Sequence, residues 1–212
     1  MRNFDHIIWD WNGTLVDDTQ LCLDILNEQL QQKKMQPLDI ETYRDRFDFP
    51  LETFYRKIGI SDTHEDFLEI NRAFLKEYTL RRGICRLYEG VVEVLETFKN
   101  SGGQHSVLSA YTVDALREMV RMLGVDRYFL HIMGIDRHEA DSKVSEGLAL
   151  VKALGCAPGR ILFVGDTTHD YETARISGTA CILIASGHQN RRQLQQCGVP
   201  VLDSHNQLPD FL

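Results

Sequence analysis

Apolar and polar positions follow two different rhythms along the chain. Near the start, Ile7, Ile8 and Trp9 are consecutive apolar residues, as in a strand buried on both faces, and the run stops at Asp10. From Asp18 to about Tyr78 the spacing is helical. Leu23, Leu26 and Leu30 share one face, and Pro37 interrupts that run. Leu51, Phe54, Tyr55 and Ile58 follow the i, i+3, i+4, i+7 pattern, and Gly59 closes it. Phe67, Ile70, Phe74 and Tyr78 mark another amphipathic helix. No strand-like run breaks this block.

From about Leu87 onward, helix and strand patterns alternate. Val91, Val94, Leu95 and Phe98 predict a helix closed by Gly102-Gly103, and His105-Ser106-Val107-Leu108 a strand ending at Ser109. A helix over 113–123, a short strand over 129–135 and a helix carrying Val144, Leu148, Val151 and Leu154 follow. Ile161-Leu162-Phe163-Val164 reads as a buried strand running into Gly165-Asp166. A helix over 171–176, a strand over 180–185, a helix near 191–196 and a short strand over 200–202 complete the pattern. Strands alternating with helices predict an α/β fold built on a doubly wound parallel sheet. The helical block falls between the first and second strands. The expected organisation is an α/β core over 1–16 and 84–212 with an inserted small α-helical cap domain over 17–83. The aromatic residues of that block, among them Tyr43, Phe47, Phe54, Tyr55, Phe74 and Tyr78, are expected to form its core.

Composition narrows the class. A chain of 212 residues, 43% hydrophobic and 25% charged, is an ordinary soluble globular protein with one core, or a core and a small second domain. A formal net charge of -8 disfavours binding to nucleic acid or to an anionic membrane. It leaves room for a small phosphorylated ligand in a local basic pocket. Cys22, Cys85, Cys156, Cys181 and Cys197 are scattered, odd in number and free of any CxxC spacing, as expected for buried thiols in a reducing compartment. No apolar run approaches membrane-spanning length. The first strand starts at once, leaving no room for a signal peptide, so a cytoplasmic location is expected. Nothing separates a monomer from a homodimer.

In a doubly wound sheet, ligands bind outside the carboxyl ends of the strands. Asp10, Ser109 and Asp166 fall at such ends, Asp170 lies in the turn after Asp166, and Lys143 begins a helix. Three carboxylates at one edge are costly unless a cation neutralises them, and oxygen ligands suit a hard ion such as Mg²⁺. Each residue alone has a plainer role: Asp10 or Asp170 as a helix cap, Ser109 as a turn serine, Lys143 as a solvated lysine. No GxGxxG follows a strand, so a dinucleotide site is not expected.

Taken together, the set resembles the haloacid dehalogenase-like hydrolase superfamily, in its phosphoglycolate-phosphatase-like branch. Asp10-Trp11-Asn12-Gly13-Thr14 resembles the first motif, Ser109 after Val107-Leu108 the second, Lys143 the third, and Gly165-Asp166 with Asp170 the fourth. The likeness extends over nearly the whole chain, the helical block included. It implies a Mg²⁺-dependent phosphatase acting on a small phosphorylated metabolite through an aspartyl-phosphate. Asp10 would be the nucleophile, with the metal held by Asp10, the backbone carbonyl of Asn12, Asp166 and Asp170. Thr14, Ser109, Ala110 and Lys143 would bind the phosphoryl group. The chain departs from this pattern at Asn12, where the phosphatases usually carry an acid/base aspartate. A carboxamide cannot shuttle a proton, so three accounts stay open: a good leaving group, a substitute such as His169 or His188, or a catalytically weak binding protein. A haloacid- or phosphonate-cleaving relative is a more distant alternative. Both histidines are equally explained as loop residues hydrogen-bonded for structure. Arg44 and Arg46 lie between cap helices, and Arg46 is the candidate for an anionic substrate tail, against the plainer reading of a surface arginine.

Overall fold

Each consecutive apolar run becomes a strand of one parallel sheet. The structure, a computed structural model, describes residues 3–135 and 142–212. In chain order its strands and α-helices are β1 (His6–Trp9), β2 (Val16–Asp17), α1 (Thr19–Gln32), α2 (Ile40–Arg46), α3 (Leu51–Lys57), α4 (His64–Arg81), β3 (Arg86–Leu87), α5 (Val91–Asn100), β4 (Gln104–Leu108), α6 (Val113–Met122), β5 (Phe129–Met133), α7 (Ser142–Leu154), β6 (Ile161–Gly165), α8 (Thr168–Ser177), β7 (Ala180–Ile184), α9 (Arg191–Gln195) and β8 (Val201–Leu202). The six-stranded sheet has the order β5-β4-β1-β6-β7-β8. β1 therefore sits in the middle, with Trp9 level with Val107 on one side and Val164 on the other. This register brings the ends of β1, β4 and β6 to one edge.

Alternate residues of these strands bury on opposite faces. Ile7, Trp9, Val107, Leu162 and Val164 pack towards α5 and α6 through Val94, Leu95, Phe98 and Leu116. Ile8, Leu108, Ile161 and Phe163 pack towards Leu150 of α7, Ala174 of α8 and Leu194 of α9. Each such side chain contributes roughly 1.5–3 kcal/mol through removal from water.

The four helices α1 to α4 form an insert between β1 and β4, as the unbroken helical spacing predicts. Asp39 and Thr63 start α2 and α4 by accepting the backbone N–H groups of Thr42 and Asp66. The two short strands β2 and β3 are not evident from the sequence. They pair antiparallel, Val16 with Leu87 and Asp17 with Arg86, so the outgoing and returning chains are bound to each other. Cys22, Cys85 and Cys181 are buried, Cys156 and Cys197 half-buried, and all are free thiols. Among the described residues, no helix is long and apolar enough to cross a membrane.

Three buried histidines pack in or against the sheet, His105 and His205 on the Trp9 face and His6 on the other. Trp9 Nε1 donates to His105 Nδ1 at 3.0 Å, so the neutral ring carries its proton on Nε2 and donates to the Leu95 carbonyl at 3.0 Å. His6 Nε2 meets Ser106 Oγ at 2.9 Å, and His205 stacks on Trp9 and Tyr88. Burial pushes each imidazole down to about 4. The unfolded chain binds these protons first as the pH falls, so stability is full above about 6.5 and is lost towards 4. Replacing His205 with Phe keeps the stacking and removes one such proton. Relative to His205→Phe, the wild type is expected to lose about 2–3 kcal/mol between pH 7 and pH 4 in urea unfolding. A difference that stays constant with pH would contradict this.

Candidate active site

Asp10 leaves β1 with its N–H bonded to the Val164 carbonyl at 2.9 Å, which fixes it against β6. Gly13, at φ +73°, makes the tight turn that follows. A Cβ there would stand 2.4 Å from Asp166 Oδ2, so only glycine lets this turn approach the acid. Asp166 follows β6, and Asp170 lies in the first turn of α8. Gly165 is equally constrained, because a Cβ would meet the Asp170 side chain at 2.3 Å. Lys143 enters from the first turn of α7. Asp10, Asp166 and Asp170 are all buried, with one oxygen from each within 4.8 Å of the others.

The Lys143 ammonium bridges two of these acids, bonding Asp10 Oδ1 and, at 2.6 Å, Asp170 Oδ1. Burial alone would drive off its proton, but the two carboxylates outweigh burial and hold it firmly. Asp170 caps α8 and also meets Lys143. Its second oxygen accepts the Thr167 N–H and hydroxyl, completing a capping box with Thr167, while the first binds Lys143. Burial tends to raise the Asp170 carboxyl, yet Lys143 and Thr167 bring it below its ordinary value. Asp10 lies well above the carboxylate range, because burial and the neighbouring acids exceed the pull of Lys143. Asp166 is pushed up to about 6 by burial, and Asp170 adds to the effect.

Beside this cluster lies a fourth buried carboxylate, Asp18. It occupies the N-cap position of α1 but makes no capping bond. Its oxygens instead accept the Gly13 N–H at 2.9 Å, the Asn12 amide at 2.6 Å and the Tyr78 hydroxyl at 2.7 Å. His188 Nε2 lies 3.5 Å from Asp18, and its Nδ1 meets the Tyr43 hydroxyl at 2.9 Å. Burial alone would raise the Asp18 carboxyl and lower the His188 imidazole; their mutual attraction reverses both shifts. Composition-level reading missed Asp18 and Tyr78. An acid before an apolar helix looks like a cap, and a tyrosine on a helical stripe looks like core.

A cavity of about 160 Å³ opens over both clusters. Asp10, Asn12, Ser109, Ala110, Lys143, Asp166 and Asp170 line it from the sheet side, as expected. Thr14 does not reach it. Its hydroxyl lies 2.8 Å from Asp166 and 3.3 Å from Asp10, so it positions the acids instead of touching a ligand. Arg46 is also outside it. Tyr43 and Phe47 turn the buried face of α2 towards the cavity, which leaves Arg46 exposed in a separate surface hollow with Glu41 and Arg191. Arg44 donates to the Gly187 and Ser186 carbonyls at 2.8 and 2.6 Å. His169 stacks on Phe49 and faces a neighbouring hollow, whereas His188 lines the cavity.

A family model described as haloacid dehalogenase-like hydrolase matches residues 7–184. Pyrophosphatase PpaX of Listeria monocytogenes is 23% identical over 197 residues, 90% of this chain and 87% of its own. A phosphoglycolate phosphatase of Mesorhizobium japonicum is 27% identical over 197 residues, 87% of this chain and 84% of its own. The solved structure of a predicted phosphoglycolate phosphatase from Haemophilus somnus superposes with a TM-score of 0.79. It is 21% identical and covers 100% of this chain and 99% of its own. A haloacid dehalogenase-like family protein of Streptococcus pneumoniae reaches 0.82 at 17% identity, over 99% and 98%.

Lys143→Met would leave the acids without their ammonium. A loss of about 3–5 kcal/mol is expected at pH 8, as for breaking any buried ion pair. Protonation of Asp10 and Asp166 removes that repulsion, so the loss should shrink at pH 5. Urea unfolding at both values checks this, and an equal loss at each would count against it.

Proposed function

The chain belongs to the haloacid dehalogenase-like hydrolases, and on that footing we propose that it is a phosphatase of small phosphorylated metabolites. The observation that carries the reading is the buried Asp10–Lys143–Asp166–Asp170 cluster at the floor of a cavity. The similarity of the chain to proteins named phosphoglycolate phosphatase and pyrophosphatase supports attack on phosphorus over displacement of halide from carbon. In this reading, residues 17–83 act as a cap domain over a core of 1–16 and 84–212.

The acids fit a divalent cation. Three buried carboxylates face one ammonium, two of them are driven upward by burial and mutual repulsion, and all the donors are oxygens. Asp10, Asp166 and the Asn12 backbone carbonyl would hold Mg²⁺, with Asp170 binding directly or through water. When bound, the ion neutralises the acids and the phosphoryl oxygens.

Lys143 holds one oxygen of Asp10, and in this reading the Asp10 carboxylate attacks phosphorus. The bond from Asp10 to phosphorus forms as that to the leaving oxygen breaks, giving an aspartyl-phosphate that water hydrolyses. Ser109 and the Ala110 backbone receive the phosphoryl oxygens with Lys143.

Asn12 cannot supply the leaving group with a proton. Its amide instead donates to Asp18 and, at 2.8 Å, to the Tyr78 hydroxyl. Loss of an acid costs about 10²–10⁴-fold, most for poor leaving groups. That favours a second reading, a protein of this family that binds a phosphorylated ligand and turns it over weakly.

An activated aryl phosphate with Mg²⁺ tests the reading. Turnover is expected, with loss on chelation and in Asp10→Asn; no turnover in the wild type removes the phosphatase reading. Asn12→Asp alone should gain little, because the new carboxylate would face Asp18 where an N–H now points. The double variant Asn12→Asp/Asp18→Asn should exceed it by about 10-fold or more on an alkyl phosphate, since the acid is then free of that clash. Equal rates in the two variants would show that Asp18 does not constrain position 12.

A further inference from the structure

The roof of the cavity has a chemistry of its own. Phe47, Phe49, Phe54 and Phe74 face it together with Leu26 and Leu75, all from the helical insert. Phe47 packs on Phe49 and Phe54 at ring distances of 5.4 and 5.2 Å and stacks on His188 at 4.9 Å, so roof and floor form one continuous wall. Of the four tyrosines in the lining, Tyr43 and Tyr78 turn their hydroxyls down into the floor, to His188 and Asp18, and the Tyr111 hydroxyl accepts from Arg82.

Among the described residues, the cations near the cavity are already engaged. Lys143 lies between Asp10 and Asp170, His188 faces Asp18, Arg44 donates to two backbone carbonyls, and Arg82 behind Tyr111 is paired with Glu118. A carboxylate or second phosphate placed against these apolar side chains would lose its water without gaining a cation among them, which is costly. An apolar group gains by the same transfer. The volume of about 160 Å³ covers floor and roof together, so it sets the scale of a small substrate, its phosphoryl group included.

Resting on the phosphatase reading, we propose that the roof receives an apolar, ring-sized leaving group. The substrate is then a phosphate ester of a small aromatic or alkyl alcohol, and not one whose leaving group is itself an anion. Phe74 and Leu75, both half-buried on α4, are the specificity-determining residues most open to change.

Benzyl phosphate and phosphoglycolate test this. Both release primary alcohols, so the missing acid at Asn12 handicaps them alike, and they differ chiefly in apolar against anionic character. With Mg²⁺ the wild type is expected to favour benzyl phosphate in kcat/KM by at least about 10-fold. Benzylphosphonate should likewise outbind phosphonoacetate in calorimetry, a readout that needs no turnover. Leu75→Arg should narrow or reverse both preferences, chiefly through KM. Should that variant fail to fold, Phe74→Ala should weaken benzylphosphonate more than phosphonoacetate. Preference for the anionic member of either pair, or preferences unmoved by the folded variants, overturns the proposal. Acetyl phosphate separates the two levels, because its activated leaving group is too small to need the roof. Its hydrolysis beside a preference for phosphoglycolate sinks this inference and spares the phosphatase reading. Failure to hydrolyse any of the three phosphates beside a clear preference for benzylphosphonate removes the phosphatase reading, and with it the leaving group, and leaves only an apolar binding roof.

Discussion

One buried ammonium holds the centre of this molecule together. Lys143 stands between Asp10 and Asp170, and without it the three acids at the sheet edge would carry charge that burial cannot tolerate. Each partner comes from a different element: the end of β1, the start of α7 and the first turn of α8. The pair therefore ties the middle of the sheet to two helices on one face. Asp170 extends the tie, since the oxygen not bound to Lys143 starts α8 through Thr167. The charge arrangement that the proposed phosphoryl transfer would use also ties this edge of the fold together.

Much of that edge is legible in the sequence, for physical reasons. A strand buried on both faces must be apolar, so the polar residue that ends it stands out, as Asp10, Ser109 and Asp166 do. Parallel topology then gathers those ends without any need for tertiary information. Side-chain direction is not legible in the same way. Arg46 looked suited to an anionic ligand, but the rotation of α2 that buries Tyr43 and Phe47 carries it to the surface. Thr14 belongs to the right turn and yet spends its hydroxyl on the acids. Asp18 was hidden by its resemblance to a helix cap. The ribbon of β2 and β3 was invisible because strands of two residues have no periodicity.

Asn12 and Asp18 make sense only as a pair. A carboxylate at position 18 accepts hydrogen bonds from the Gly13 backbone, the Asn12 amide and the Tyr78 hydroxyl. An amide at position 12 is what such a neighbour requires. Asn12 is therefore one half of a local arrangement that joins the turn after Asp10 to helix α4.

The central place of β1 has a further consequence, for the order of assembly. Its neighbours β4 and β6 lie about a hundred or more positions later in the chain, with His6 level with Gln104 and with Ile161. Lys143 reaches Asp10 across 133 positions and Thr14 reaches Asp166 across 152. Such non-local pairing is slow, because a long loop must close before any contact rewards it. During synthesis β1 is made before either neighbour and stays unpaired until β4 follows about a hundred residues later, with the helical insert able to form meanwhile from neighbouring residues. The central strand of the sheet thus waits longest for its partners, and the edge it carries is completed only when β6 arrives.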